Sequence, residues 1–171
     1  RRELSPSITL FFASGRLMVL DGKGYKNLYS MDGKTIVSVK GSSNVKLFRE
    51  LNENGRLRAK IETVKNNAEA FAMLDSGKAD GFIMDDVILY ELRATSKNPK
   101  KFAILPDLLN VEPKTIMMRP DDESFKRVVD REIHRIITQR EIDGIYRKWF
   151  ESPIPPKQIN LEFPLGSLLR E

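Results

Sequence analysis

The 171-residue chain contains no cysteine and one histidine, His134. The absence of cysteine excludes disulfides, thiolate metal sites and cysteine nucleophiles. A zinc site with one histidine and no cysteine would be unusual. His134 lies in a helix-patterned stretch among apolar and charged residues, which is typical of a surface histidine. The composition therefore weakens most enzyme mechanisms before any motif is considered.

Long apolar runs are also missing. The longest, such as Ile8–Ala13 and Phe102–Leu105, fall far below the roughly 20 residues of a spanning helix. Hydrophobic residues still make up 40% of the chain, which is too many for a disordered protein. The given chain carries no signal peptide, and this neither establishes nor excludes secretion.

The chain has no long run of residues with the same charge. Its net charge of +5 comes from 29 basic and 24 acidic residues. Lysines and arginines alternate with acids, as in "KRVVDREIHR", and no aromatic residues interleave a basic stripe. Such a pattern is typical of a solvated mixed-charge surface. We therefore expect no nucleic-acid partner.

The residues that are present alternate between strand and helix patterns, which predicts an α/β fold. β-Branched Thr35–Val39 reads as a buried strand, and the helix after it is expected to stop at Gly55. A later helix, capped by Asn66 or Asn67, should stop at Gly77. Short turns between strands and helices predict a mostly parallel sheet. Neither a GxGxxG nor a GxxxxGK[ST] motif supports nucleotide binding.

The longest predicted helix starts at Asp122 and carries a single apolar stripe. The stripe comprises Phe125, Val128, Val129, Ile133, Ile136 and Ile137.

Candidate binding residues lie where predicted strands end, which is where α/β proteins place their ligands. Gly41, Ser42 and Ser43 start a helix whose free N–H groups favour a carboxylate or phosphate, although from spacing alone an ordinary serine cap is the first explanation. Asp85 and Asp86 end a buried strand, and either an ammonium-binding acid or a cap beside a solvated acid fits.

Near the N-terminus, Arg1, Arg2 and Arg16 could form a guanidinium fork for a carboxylate, or could simply be solvated.

Four segments in order resemble one known family. They are "MDGKTIVSVKGSSNVKLFREL", "AFAMLDSGKADGFIMDDVIL", "YRKWF" and the tail "SPIPPKQINLEFPL". The chain resembles the type II periplasmic binding proteins of amino-acid ABC transporters, solute-binding family 3. Its tail is similar to the glutamate/aspartate-binding branch.

This resemblance implies a two-lobe fold that closes on an amino acid by hinge motion. It implies a complete second lobe over residues 15–116, with a partial first lobe from residues 1–14 and 117–171. Two hinge strands would join the lobes near Phe12–Leu17 and Pro113–Met117. About half of the usual first lobe would precede Arg1.

The resemblance also implies a set of ligand-binding residues. The guanidinium of Arg1 would bind the ligand α-carboxylate in a bidentate manner. Gly41, Ser42 and Ser43 would bind the same carboxylate. Asp85 would take the α-ammonium, and Asn67 would contact the ligand side chain. No catalytic residue, metal or cofactor is implied.

The function implied is that of a periplasmic solute-binding protein that delivers glutamate or aspartate to an ABC transporter permease. Two alternatives stay open. One is a truncated or self-associating lobe with no ligand binding of its own, and the other is a dehydratase- or lyase-type enzyme on the same fold.

Overall fold

The architecture comes from a computed structural model, which describes residues 3–164. Arg1 and Arg2 lie outside this range. The strands in chain order are β1 (Ser5–Pro6), β2 (Phe11–Ala13), β3 (Gly15–Leu20), β4 (Thr35–Val39), β5 (Lys60–Val64), β6 (Gly81–Asp85), β7 (Phe102–Ile104), β8 (Glu112–Lys114) and β9 (Met117–Met118). The α-helices are α1 (Ser43–Glu53), α2 (Asn67–Asp75), α3 (Asp86–Thr95), α4 (Glu123–Thr138) and α5 (Glu141–Phe150).

The chain divides into two compact units. Unit 2 is Ser14–Val111, and unit 1 combines the residues up to Ala13 with those from Glu112 onward. The chain thus passes between units at 13/14 and 111/112, against the 14/15 and 116/117 expected from the resemblance. No helix among the described residues is long and apolar enough to cross a bilayer.

Unit 2 is built on a five-stranded sheet in the order β5-β4-β6-β3-β7. β4 pairs in parallel with β5 and β6, because α1 and α2 return the chain to the same end of the sheet after each strand. β3 runs antiparallel to both of its neighbours. The predicted parallel arrangement is therefore correct for β4, β5 and β6, but wrong for β3, whose connection to β4 contains no crossover α-helix.

Side-chain alternation along the strands builds a core on each face of this sheet. On one face Leu17, Ile36 and Ile83 pack with Phe48 of α1. The opposite face carries the residues that alternate with these, Met18, Val37 and Phe82, which pack with Leu74 of α2 and Leu89 of α3. Because both faces are covered, successive residues at the centres of β3, β4 and β6 are apolar.

The helix ends of unit 2 follow local sequence signals. The side chain of Asn66 caps α2 by accepting from the N–H of Glu69 at 2.9 Å. Helices α1 and α2 each end two residues before a glycine, Gly55 and Gly77, as predicted. Both helices are therefore short, and each leads directly to the next strand of the sheet.

Unit 1 contains two two-stranded antiparallel sheets, β1 with β9 and β2 with β8, together with α4 and α5. Helix α4 begins after Asp122, which accepts from the N–H of Phe125 at 3.0 Å. Only Ile133 of its predicted apolar stripe is fully buried, whereas Phe125 is 54% exposed and Val128 46% exposed. The predicted stripe is therefore only partly buried in the described residues.

Truncating the central core residue Phe82, which is fully buried, tests this account of unit 2. We expect Phe82→Ala to lower the free energy of unfolding by about 3–5 kcal/mol, since it removes apolar contacts and leaves a cavity. Urea unfolding followed by circular dichroism measures the change. Tyr29→Ala is the control: Tyr29 is 65% exposed, and we expect a change within about 0.5 kcal/mol. Equal effects of the two variants would contradict the assignment of the core.

Candidate functional site

The carboxyl ends of three neighbouring strands of unit 2 carry the predicted site residues. β5, β4 and β6 lie side by side and run in the same direction. Each is followed by a helix whose N-terminus starts at this edge of the sheet. The N–H of Lys40 donates to the carbonyl of Val64 at 2.9 Å and holds the first of these turns against the end of β5. Parallel pairing thus brings three segments distant in sequence to one edge.

The turn after β4 contains Gly41, Ser42 and Ser43. Gly41 has φ +84°, a left-handed conformation that glycine adopts without steric cost. Ser42 occupies the N-cap position of α1, but its hydroxyl makes no capping hydrogen bond. Its Oγ lies 3.2 Å from Oγ of Ser38, which donates to the carbonyl of Ile83 at 2.8 Å. The alternative of an ordinary serine cap is therefore wrong for the Ser42 side chain.

Asp85 ends β6 and occupies the N-cap position of α3, again without a side-chain capping bond. Its Oδ1 accepts from Nδ2 of Asn44 at 3.1 Å, across 41 residues of sequence. Asp85 is half-buried, so its carboxylate lies at the edge of the sheet without being enclosed by the core. This bond joins the start of α1 to the start of α3.

Asp86 has a different environment, although it follows Asp85 directly. It is 3% exposed, and its Oδ2 lies 3.8 Å from Nε of Arg16. Burial raises the pKa of this carboxyl, while the backbone N–H groups of Ser14 and Val87 and the Arg16 charge act against that rise. The alternative of a solvated second acid is thus wrong, and Arg16 pairs with an acid of its own unit.

Asn67 is the first residue of α2, directly after the capping residue Asn66. Its Oδ1 is buried and has no hydrogen-bond partner among the described residues. Because α2 starts at the carboxyl end of β5, the structure brings Asn67 to the same sheet edge as Gly41, Ser42, Ser43 and Asp85. Arg1, the remaining predicted ligand residue, lies outside the described residues.

Two residues of this edge, Asn44 and Gly15, were not singled out from the sequence. Asn44 is completely buried, and Gly15 lies opposite Asp85 in the β3–β6 pairing. A Cβ at Gly15 would collide with Oδ1 of Asn44. The spacing of Asn44 and Phe48, one helical turn apart on the buried side of α1, is the signal that could have identified the asparagine.

A depression of about 590 Å³ opens beside Gly41 and Ser42, between α1 and β5. Its lining includes the cationic side chains of Lys40, Lys46 and Arg49, together with two glutamates. Positive charge therefore exceeds negative charge next to the turn that follows β4.

Comparison with known proteins relates the chain to one group of binding proteins. It is 32% identical over all 171 residues to the L-glutamate/L-aspartate-binding protein of Pseudomonas aeruginosa. It is 31% identical over 170 residues to the glutamate/aspartate import solute-binding protein of Escherichia coli. The chain is homologous to periplasmic amino-acid-binding proteins. The predicted resemblance is thus confirmed, although no protein-family model matches the chain.

The chain itself has the type II periplasmic-binding-protein fold. The GluR0 ligand-binding core of Nostoc punctiforme, solved with L-glutamate, matches 87% of the chain and 66% of its own length, with a TM-score of 0.66 and 21% identity. The chain spans 57% of the Pseudomonas relative and 56% of the Escherichia relative. These two relatives are named as binding proteins and not as enzymes.

The buried Asp86 predicts how the stability of this periplasmic binding-protein homologue depends on pH. Its pKa is raised in the folded state above the ordinary value of 3.8, so the folded chain binds the proton more tightly than the unfolded chain. The resulting contribution to stability is complete below pH 3.8 and is lost as pH rises through the folded pKa. We expect Asp86→Asn to remove this loss, so that the variant gains stability relative to wild type as pH rises above 3.8.

Chemical denaturation at a series of pH values measures this difference. Asp21→Asn serves as the control, because Asp21 is exposed at the end of β3 in the same unit. A stability difference between Asp86→Asn and wild type that stays constant across the series would contradict the raised pKa.

Proposed function

We propose that the chain is a solute-binding part of an amino-acid ABC transporter and binds an acidic amino acid, glutamate or aspartate. The observation that carries this proposal is the convergence of Gly41–Ser43, Asn67 and Asp85 at the carboxyl ends of three adjacent strands. Homology to glutamate/aspartate-binding proteins supports the ligand class. A periplasmic location and a membrane permease partner follow from the same proposal.

Binding of a zwitterion requires donors for its carboxylate and an acceptor for its ammonium. Ser42 lies at the positive end of the α1 dipole, which favours the α-carboxylate. Its hydroxyl does not cap α1 and would turn from Oγ of Ser38 to donate to that carboxylate. Gly41 lets the backbone approach closely. Arg1 would add a guanidinium to the same carboxylate.

Asp85 is the acceptor for the α-ammonium in this proposal. It is half-buried, and its carboxylate is not used to cap α3, whereas the neighbouring Asp86 is enclosed and faces Arg16. Of the two acids, Asp85 is therefore the one whose position suits a ligand cation.

The side chain of the ligand would lie toward Asn67. Asn67 is half-buried, and its Nδ2 can donate to a carboxylate. Lys40, which precedes Gly41, adds positive charge beside this edge. Closure of two lobes on the bound ligand is part of the same proposal and is a prediction of the resemblance.

Removing the Asp85 charge tests the proposed role directly. We expect the wild-type chain to bind L-glutamate or L-aspartate in isothermal calorimetry and Asp85→Asn to weaken that binding at least about 30-fold, since the ligand ammonium loses its charged partner. Asp80→Asn is the control at the opposite end of β6. Asp80 accepts from Tyr25 and from the N–H of Thr35, so its change should affect stability and not affinity.

A wild-type chain that binds no amino acid at millimolar concentration would contradict the proposed function for this chain. Binding that survives in Asp85→Asn would contradict only the role of Asp85. Turnover of an amino acid would favour the enzyme alternative.

One observation on unit 1 favours self-association as a second proposal. Helix α4 exposes Phe125 and Val128 on one flank, and exposed apolar surface of this kind promotes contact between copies. Helix α5 adds exposed Ile145 and Trp149.

We expect the wild-type chain to sediment as a dimer or larger species and Phe125→Glu to shift it toward monomer, because a charge replaces apolar surface. Arg127→Glu is the control, two positions along α4 at an exposed site. A wild-type chain that sediments as a monomer at all concentrations would contradict self-association.

A further inference from the structure

Asn44, in the first turn of α1, places a polar side chain in the interior at the candidate site. It is completely buried, and burial of an amide is costly unless its groups find hydrogen-bond partners. Its Nδ2 has one in Oδ1 of Asp85, at 3.1 Å, whereas its Oδ1 has none among the described residues. A half-satisfied buried amide contributes poorly to stability, so stability alone is a weak reason for an asparagine here.

The space that this amide occupies depends on the absence of a side chain at Gly15. Gly15 lies opposite Asp85 on β3 and presents no side chain to it. A Cβ at Gly15 would collide with Oδ1 of Asn44 and would also come within 2.8 Å of Oδ1 of Asn110. The N–H of Gly15 donates to that Asn110 oxygen at 2.5 Å, which holds the strand in place.

The bond from Asn44 limits the rotation of the Asp85 carboxylate. Asp85 makes no capping bond with its own helix, so a donor from α1 takes one of its oxygens instead. Such a donor keeps the acid in one rotamer before a ligand arrives, which reduces the entropy lost on binding.

We infer that Asn44 is a positioning residue, which orients Asp85 to receive the α-ammonium of an amino acid. This inference rests on the proposed function. Asn44 itself contacts Asp85 and needs no contact with the ligand. Gly15 supports the arrangement by leaving the space that the amide occupies.

Calorimetry with two ligands separates positioning from a structural role. L-Glutamate carries an α-ammonium, whereas glutarate is the matching five-carbon dicarboxylate without one. We expect Asn44→Leu, which fills the space but cannot donate, to weaken L-glutamate binding about tenfold, the size of one hydrogen bond. Its effect on glutarate should stay below about threefold.

Asn52→Ala is the matched control on the same helix. Asn52 makes two bonds to the backbone of Ala59, at 2.6 and 3.2 Å, far along α1 from Asp85. Its loss should affect stability and leave the ratio of the two affinities unchanged. If Asn44→Leu does not fold, Gly15→Ala displaces the same amide and should change the ratio in the same direction.

A ligand-free measurement tests the bond itself. In ¹H–¹⁵N spectra of the full chain, Asp85→Ala should shift the Asn44 side-chain amide signals and speed their exchange with water. Signals that stay unchanged would overturn the inference, as would an equal loss of L-glutamate and glutarate binding in Asn44→Leu.

The two proposals fail in different ways. If wild type binds L-glutamate and Asn44→Leu binds it equally well, the role of Asn44 is wrong and the proposed function stands. If wild type binds neither ligand, the proposed function is wrong, and the positioning role is overturned with it even if the Asn44–Asp85 bond is present.

Discussion

The parallel pairing of β4 with β5 and β6 is the constraint on which the rest of unit 2 depends. Parallel neighbours require a crossover, and each crossover here is a helix that starts at the same edge of the sheet. The pairing therefore gathers the starts of α1, α2 and α3 although they are far apart in sequence. Both faces of the sheet are also covered, so that the central residues of β3, β4 and β6 are apolar. The carboxyl ends of such strands are where α/β proteins place small charged ligands, which is the basis of the proposed site.

Two adjacent acids illustrate how one backbone transition separates chemical roles. Asp85 ends a strand and Asp86 begins a helix, so the direction of the side chain changes between them. Asp85 stays at the half-buried edge and accepts a hydrogen bond from α1, whereas Asp86 enters the interior, where Arg16 partly balances its charge. A buried, imperfectly paired carboxylate costs stability, so its presence beside the candidate site is a local cost of this arrangement.

Several features could be predicted because they depend on local sequence. The β-branched run at Thr35–Val39, the capping Asn66 and the glycines after α1 and α2 predicted their elements correctly. The family resemblance was found from short ordered motifs, and the comparison confirmed it. The antiparallel direction of β3 could not be predicted in this way, because a strand pattern contains no information on strand direction. The exposure of Phe125 likewise depends on which surfaces meet α4, and not on the stripe itself.

By itself, the sequence determined the fold class, the helix starts that carry Gly41, Ser42 and Asp85, and the absence of cysteine chemistry. Only the tertiary structure decided that Asn44 bonds to Asp85, that Gly15 leaves space for this amide, and that Asp86 is buried beside Arg16. The physical reason is the range of the interactions. Caps, turns and apolar periodicity act within a few residues, whereas burial and side-chain pairing depend on strands brought together from distant parts of the chain.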